Sequence, residues 1–459
     1  MITKILAKNF KSWADTGSVR LAPITGLFGS NSSGKTSLIQ LLLMVKQTAD
    51  SPDRSQVLNL GDDRNLVELG TFQELVYAHN LERSITIDLD WKLPEKMTVE
   101  DPKQKGAILF DGNSMGFSTQ VGWTSGASKD IGRLSVQEMK YRFAGAEFGM
   151  KHFGGKRNEF DLVDTHSTFN FTRVQGRPWK LPPPSKFYGF PDQVRAYYQN
   201  ASFLSDLELQ FEQLFSRVFY LGPLREYPKR QYQWAGAQPA DMGRRGERVV
   251  EALLASRESG AVFSRGKGVK RQTLEQRVAW WLKELGLISS FEVRPITDGG
   301  KLFQVWVRRQ PKAPEVLITD VGFGVSQILP VITLCYYAPE GSTIILEQPE
   351  IHLHPRVQAG LADVFVEVVK QRKVQIILES HSEHLLRRLQ VRIAEEQIDK
   401  NDAALYFCAT ENGESEILEL KLDMFGNILN WPKDFFGDEM AEIAAMQKAI
   451  IERKHRGKV

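Results

Sequence analysis

The chain has 459 residues, a net charge of +3, 42% hydrophobic residues and 25% charged residues, a balance typical of a globular protein with a large core and more than one folding unit. No apolar run reaches the ~20 residues that span a bilayer, and the opening residues lack a signal-peptide core, so we expect a cytoplasmic protein without a membrane partner. Its two cysteines, Cys335 and Cys408, are too few for a disulfide framework or a cysteine zinc cluster.

A phosphate-binding loop is the strongest motif near the start of the chain. GSNSSGKT fits the pattern G-x-x-x-x-G-K-[ST] and stands between a predicted strand and a predicted helix, as the motif requires. In such a loop the backbone N–H groups and the helix N-terminus bind phosphates, and the final hydroxyl binds Mg²⁺. The residues predicted to bind ATP are Gly29, Ser30, Asn31, Ser32, Ser33, Gly34, Lys35, Thr36 and Ser37. A chance glycine-rich turn is the alternative, and the spacing and context disfavour it.

Residues 96–270 differ in character, because turn residues and aromatic residues are both frequent there. We predict an insertion with its own fold, since a solvated linker would not contain so many aromatic residues. Part of this insertion combines cations with an aromatic side chain, which suits phosphates and bases of DNA; a solvated basic face is the alternative. The residues concerned are Lys156, Arg157, Arg177, Trp179, Lys180 and Lys186.

Apolar strands and helices alternate after residue 270. A helix with a capping box begins at Thr273, and strands without polar alternation lie at 342–348 and 374–382. This pattern predicts a parallel sheet that is covered on both faces. The predicted domains are an N-terminal lobe over 1–95, the insertion over 96–270, a C-terminal lobe over 271–400 and an extension over 401–459.

Polar residues at the ends of these two strands are candidates for catalysis. The first strand ends in Glu347 and Gln348, at a place where two acids usually stand. Glu347 offers Mg²⁺ a hard oxygen ligand, whereas the amide of Gln348 cannot act as a general base. The second strand ends near His381, which we expect to face the γ-phosphate. A helix cap is the alternative role for Glu347, and a capping or core position is the alternative for His381.

A second glycine-containing helix start, in the stretch VGFGVSQIL, follows much later in the chain. Such a terminus can bind anions. Since one nucleotide needs only one phosphate loop, we predict that this helix completes the site of another subunit.

Taken together, these motifs resemble those of ABC-type ATPase heads, above all the SMC, RecF and OLD-like branch. EQPEIHLHP and ESHSEH are similar to the EEPExHLHP and THSxxLL patterns of OLD-like ATPases. YLGPLREYPKRQYQWAGAQP and FGNILNWPKDFFGDE resemble a bacterial subgroup that carries a C-terminal domain of unknown function and is often encoded in defence loci. The resemblance implies an α/β head with N-terminal antiparallel strands, a mostly parallel core sheet flanked by helices, and a large α+β insertion.

The resemblance also implies roles for particular residues. The catalytic set is Glu347, Gln348, Glu350 and His381, and the metal set is Thr36, Gln73 and Glu347. The signature that meets ATP on the opposite subunit is Gly324, Ser326 and Gln327. The implied ligands are ATP and Mg²⁺, and the implied assembly is a homodimer or higher homo-oligomer formed through the heads.

The leading function predicted from these features is an ATP-driven switch that hydrolyses slowly because Gln348 stands at the base position. Its expected partner is a separate effector, a nuclease or toxin, in antiviral defence. One alternative is a RecF-like repair ATPase that binds DNA directly; a transporter ATPase subunit is disfavoured by the large insertion. Two other accounts of Gln348 stay open: Glu350 or His381 orients the water, or the glutamine replaces a native glutamate by design.

Overall fold

The computed structural model describes residues 1–101, 106–125, 132–153, 159–165, 169–176, 180–264, 270–432, 435 and 445–451. The strands in chain order are β1 (Ile2–Phe10), β2 (Trp13–Asp15), β3 (Val19–Arg20), β4 (Ile24–Gly29), β5 (Ile85–Glu100), β6 (Ile108–Ser125), β7 (Gly132–Phe143), β8 (Ala146–His152), β9 (Phe160–Asp164), β10 (Val218–Leu221), β11 (Tyr232–Gln233), β12 (Val262–Phe263), β13 (Gln272–Thr273), β14 (Ser290–Pro295), β15 (Leu302–Arg308), β16 (Glu315–Leu317), β17 (Thr343–Glu347), β18 (Gln375–Glu379), β19 (Ala403–Glu411) and β20 (Glu414–Glu419). The helices are α1 (Lys35–Asp50), α2 (Phe72–Leu75), α3 (Gln193–Tyr197), α4 (Leu204–Ser216), α5 (Val249–Glu258), α6 (Leu274–Glu284), α7 (Phe323–Tyr337), α8 (Pro355–Arg372) and α9 (Glu383–Ala394).

The first large sheet is antiparallel, and the strand order is β2-β1-β5-β6-β7-β8-β9, with β3 also paired to β1. In β5 the side chains of Ile85, Ile87, Leu89 and Trp91 alternate toward the core, because successive residues of a strand face opposite sides of the sheet. The predicted domain boundary after residue 95 falls inside β5. Strands β5 to β9 continue the N-terminal sheet, so this part of the predicted insertion is continuous with the N-terminal lobe.

Aromatic side chains pack between this sheet and α4. The ring of Phe211 on α4 lies 5.0 Å from that of Phe117, 4.8 Å from that of Tyr188 and 6.0 Å from that of Trp91, between ring centroids. Such contacts favour close packing of large rings. The abundant aromatic residues of the middle segment therefore form the shared core of the N-terminal lobe.

The second large sheet has the order β10-β17-β18-β4-β19-β20, and every neighbouring pair except β19–β20 is parallel. One edge, β10, comes from the predicted insertion, and β19 comes from the predicted C-terminal extension. The sheet thus gathers strands from distant parts of the chain. The fold is mixed α/β with an antiparallel sheet beside it, as the sequence predicts.

Helices cover both faces of the mostly parallel sheet. Leucines of α1 share one buried cluster with Ile345 and Ile377, while α7, α8 and α9 share the other with Leu346 and Leu378. The predicted capping box at Thr273 is confirmed, since its side chain accepts from the Gln276 backbone and the Gln276 side chain reaches back. Among the residues described above, no helix combines the length and apolar character that a membrane span requires.

Candidate nucleotide site

The phosphate loop connects β4 to α1 and begins and ends in glycines that tolerate no side chain. Gly29 has φ 133°, and a Cβ there would lie 2.0 Å from the Cys408 carbonyl oxygen. Gly34 has φ 86°, and its Cβ would lie 2.5 Å from the Ser415 hydroxyl. Only glycine fits both the backbone conformation and the space. The loop is therefore shaped by its contact with β19 and β20.

The amine of Lys35 lies within the loop. It donates to the carbonyl oxygens of Gly29 at 3.1 Å and Ser30 at 2.5 Å, and to the Ser33 hydroxyl at 3.3 Å. Burial lowers the pKa of Lys35. Asn31 and Ser32 are exposed at the loop tip. A cation surrounded by a curved backbone is the arrangement that binds a polyphosphate.

Two strand ends bring carboxylates to this loop. Glu347 ends β17, Glu379 ends β18, and the two are paired in register. The Thr36 hydroxyl donates to the Glu379 carboxylate at 2.8 Å, and the Tyr220 hydroxyl donates to Glu347 at 2.8 Å. Carboxylate and hydroxyl oxygens suit Mg²⁺, so Thr36, Glu347 and Glu379 fit that ion, with nucleotide phosphates supplying further ligands.

Burial raises the pKa of both carboxyl groups. For Glu347 it reaches about 7, with the neighbouring Glu379 adding to the shift and the hydrogen bond from Tyr220 opposing it. For Glu379 burial also raises the pKa, against the hydrogen bond from Thr36 and the charge of Lys35. Two buried acids side by side favour a cation between or beside them.

Gln348 lies inside the same site. Its backbone has φ 44°, and its N–H donates to the Glu379 carbonyl at 2.9 Å. Burial raises the pKa of Glu379, and the Gln348 side chain opposes that rise. The predicted base position is thus occupied by an amide that stands next to a carboxylate.

Glu350 supports the turn that carries His381. Its carboxylate accepts from the His381 backbone N–H at 2.7 Å, and burial raises its pKa. Burial and the charge of Lys35 lower the pKa of His381, and the Gly29 backbone acts in the opposite direction. The structure therefore brings His381 to the phosphate loop and places Glu350 behind it.

The predicted signature residues lie at the start of α7, but two of them face inward. Ser326 and Gln327 are 6% and 3% exposed, and the Ser326 hydroxyl donates to the Phe323 carbonyl at 2.7 Å. Gly322 and Phe323 are exposed at the tip, and Gly324 is half-buried. The accessible groups at this helix start are therefore those of residues 322–324, and not the side chains of Ser326 and Gln327.

Gln73 is exposed on α2, and its carbonyl accepts a hydrogen bond from the His79 ring at 2.8 Å. Within the described part of the chain its side chain makes no hydrogen bond to Thr36 or Glu347. The structure does not join Gln73 to the other predicted metal residues.

Two members of the predicted DNA-binding set, Lys180 and Lys186, lie within the described residues. Lys186 is buried and donates to the carbonyls of Ala49 at 2.8 Å and Ser51 at 2.7 Å, so it caps the end of α1. Lys180 lies 3.7 Å from the centre of the Phe153 ring and 3.4 Å from Asp161. The remaining members, Lys156, Arg157, Arg177 and Trp179, lie outside the described residues.

Sequence reasoning gave no individual role to three residues of the site: Tyr220, Arg225 and Glu379. Arg225 is 6% exposed, donates to the Glu347 carbonyl at 3.4 Å, and has its pKa lowered to about 10 by burial. Its Nε and Nη1 atoms make no hydrogen bond with the described residues. The available signal was position, because each of the three stands at or just after the end of an apolar strand.

A glycine-rich loop between strand and helix, facing strand-end carboxylates, defines a phosphate-loop nucleotide site. Residues 274–386, which include the strand ends with Glu347 and Glu379, match the model of a family described as "AAA ATPase domain". Residues 398–446 match "Protein of unknown function (DUF3696)".

The solved structures that are similar include three SMC head domains. "Crystal structure of the SmcHead bound to the C-winged helix domain of ScpA" has 11% identity, covers 92% of this chain and 98% of its own, and gives a TM-score of 0.46. The SMC head from Thermotoga maritima has 12% identity, covers 92% and 99%, and gives 0.38. An SMC head with an extended coiled coil, bound to the C-terminal domain of ScpA derived from Pyrococcus furiosus, has 11% identity, covers 92% and 96%, and gives 0.42. The curated proteins include no match.

We expect Glu347→Gln to raise the melting temperature at pH 8 in buffer without magnesium or nucleotide. Because the pKa of Glu347 is raised from 4.5 to about 7, the folded chain binds more protons than the unfolded chain between these values, and stability falls as pH rises through that window. The amide removes this penalty, so the variant should gain at pH 8 and differ little at pH 4.5. Differential scanning fluorimetry at both pH values measures it.

Glu416→Gln, at an exposed position on β20, is the matched control and should leave the melting temperature unchanged at both pH values. A Glu347→Gln protein that melts below the wild type at pH 8 would contradict the expectation.

Proposed function

We propose that the protein is an ATP-driven switch of the ABC type, in the SMC, RecF and OLD-like branch, which binds ATP tightly and hydrolyses it slowly. The observation that carries the proposal is Gln348 at the strand end where the general base is expected, held by Glu379 beside the phosphate loop. General-base catalysis typically contributes ~10²–10⁴-fold to the rate. Without it the ATP-bound state persists long enough to act as a signal.

Different residues of the site are proposed to bind the phosphates, to hold Mg²⁺ and to contact the terminal phosphate. The loop from Gly29 to Thr36 and the N-terminus of α1 bind the phosphates, and Lys35 leaves its backbone acceptors for phosphate oxygens. Bound Mg²⁺ neutralises developing phosphate charge, and Thr36 and Glu347 would hold it. His381, fixed by Glu350 and adjacent to Gly29, would contact the terminal phosphate and report whether it is present.

The tip of α7 is the contact that we assign to a second copy of the chain. Gly322 is exposed, and a Cβ added to it would meet open space. The N-terminus of this helix carries a partial positive charge that favours an anion. Closure of two heads over ATP would then depend on the nucleotide of each partner.

The effector half of the proposal is supported by sequence resemblance. The motifs around 218–255 and the tail are similar to those of the defence-associated subgroup, and the match over 398–446 covers that tail. The C-terminal turn also exposes large apolar side chains, Met424 at 69% and Phe425 at 64%. Exposed apolar side chains that lie together often mark a protein contact.

We expect Lys35→Ala to weaken ATP binding by at least about tenfold, the loss of roughly 1.4 kcal/mol, because it removes the cation from the loop. Gly322→Arg should bind ATP as the wild type does, yet fail to form the ATP-dependent oligomer. Titration with a fluorescent ATP analogue and light scattering with and without ATP measure the two properties.

Lys370→Ala, an exposed position on α8, serves as control and should change neither property. Equal nucleotide affinity in the wild type and in Lys35→Ala would overturn the proposed site.

We expect single-turnover hydrolysis by the wild type to be far slower than the median enzyme rate of about 10 s⁻¹. His381→Ala and Glu350→Gln should lower it further, because one contacts the loop and the other holds that contact. His384→Ala, at an exposed position on α9, is the matched control and should leave the rate unchanged. A fast wild-type rate that neither substitution alters would mean that the water-activating group lies elsewhere.

Co-purification with the products of adjacent genes tests the effector. Capture of a nuclease or toxin encoded next door, dependent on ATP and lost in Lys35→Ala, is the expected result, since the switch signals only when it holds ATP. Salt-sensitive DNA binding with no such partner would favour the RecF-like alternative instead.

A further inference from the structure

Glu379 lies one strand closer to the phosphate loop than Glu347. It ends β18, which is the strand between β17 and the loop-bearing strand β4, and it pairs in register with Glu347 on one side and Leu27 on the other. Its side chain is 3% exposed. A buried carboxylate at this place needs partners, because burying an unpaired charge is unfavourable.

Those partners come from both neighbouring elements. The Thr36 hydroxyl donates to one carboxylate oxygen at 2.8 Å, and the Gln348 side chain opposes the rise that burial causes in the pKa of the same carboxyl group. The Gln348 backbone N–H also donates to the Glu379 carbonyl at 2.9 Å. Glu379 is thus the residue through which the phosphate loop and the end of β17 meet.

Glu347 has a different set of contacts. Its carboxylate accepts from Tyr220 at 2.8 Å, and its carbonyl accepts from Arg225 at 3.4 Å; both donors belong to β10 or the segment after it. Within the described residues, the Thr36 hydroxyl contacts Glu379 and not Glu347. The carboxylate oriented by the loop is therefore Glu379.

We infer that Glu379 is a second carboxylate that holds Mg²⁺ beside Thr36, in addition to Glu347, and that an amide at position 348 spares Glu379 a neighbouring negative charge. This inference rests on the proposed ATP-binding function. The backbone bond between the two residues places the Gln348 side chain next to Glu379, where an amide can donate a hydrogen bond to a carboxylate. A glutamate there would bring a second negative charge into contact with Glu379, next to a third on Glu347.

The first test is the magnesium dependence of nucleotide binding. Loss of a group that orients a metal ligand typically costs about 10–100-fold in metal affinity. Because Glu379 is inferred to be a ligand itself, Glu379→Gln should raise by at least about 10-fold the Mg²⁺ concentration at which binding of a fluorescent ATP analogue is half-maximal. Binding in EDTA should stay as in the wild type, which shows that the loop remains folded. Glu383→Gln, four residues further on, is the matched control and should behave as the wild type.

The second test is a double-mutant cycle on stability without magnesium or nucleotide at pH 8. Gln348→Glu should lower the melting temperature, and Glu379→Gln in the same chain should restore it, because the repulsion needs both charges. Additive effects of the two substitutions would overturn the pairing of Gln348 with Glu379.

The outcomes separate this inference from the function on which it rests. An unchanged Mg²⁺ midpoint in Glu379→Gln, together with a shifted one in Glu347→Gln, would assign the metal to Glu347 alone and overturn the inference while the ATP site stands. If Lys35→Ala binds the nucleotide as well as the wild type, the ATP site itself is wrong.

Discussion

The hydrogen bond from the Thr36 hydroxyl to Glu379 joins residues that are 343 positions apart, and the rest of the site depends on it. It exists because β18 pairs with β4: Ile376 N–H donates to the Pro23 carbonyl at 2.8 Å and Ser380 N–H to the Leu27 carbonyl at 3.0 Å. This pairing places the phosphate loop and Glu379 at the same edge of the sheet. Every other polar group of the site is then one strand or one turn away.

The parts of the site that could be predicted from sequence are those that short local sequence patterns specify. The loop motif fixes Lys35 and Thr36, and an apolar strand that ends in an acid indicates Glu347. Glu379 also ends an apolar strand, but its place beside Thr36 could not be predicted, because that place depends on which strands are neighbours. That order is set by tertiary pairing, and no local pattern encodes it.

Two other differences have physical reasons. Helix α7 is apolar on nearly every face, so no amphipathic stripe indicated that Ser326 and Gln327 point inward. In the middle segment, frequent turn residues obscured the pattern of the long antiparallel strands. The aromatic side chains of these strands were interpreted as the core of a separate domain. The rings instead pack between α4 and a sheet that begins with β1, a relation between distant segments that composition does not reveal.

Because Gly29 lies so close to Cys408, the phosphate loop and the C-terminal segment are not separable modules. Strand β19 also meets the loop through the Thr410 hydroxyl, which lies 3.4 Å from the Ser32 carbonyl. On β20, Ser415 lies beside Gly34 of the loop, and its hydroxyl donates to that of Ser12, outside the loop, at 2.7 Å. The C-terminal strands therefore form part of the surface that packs against the loop. Deleting them, or exchanging them between homologous heads, would remove contacts on which the loop conformation depends. A bound phosphate that displaced the loop would also displace β19 and β20. Substitutions on the outer surface of the C-terminal segment would leave this coupling unchanged, whereas substitutions in β19 would alter it.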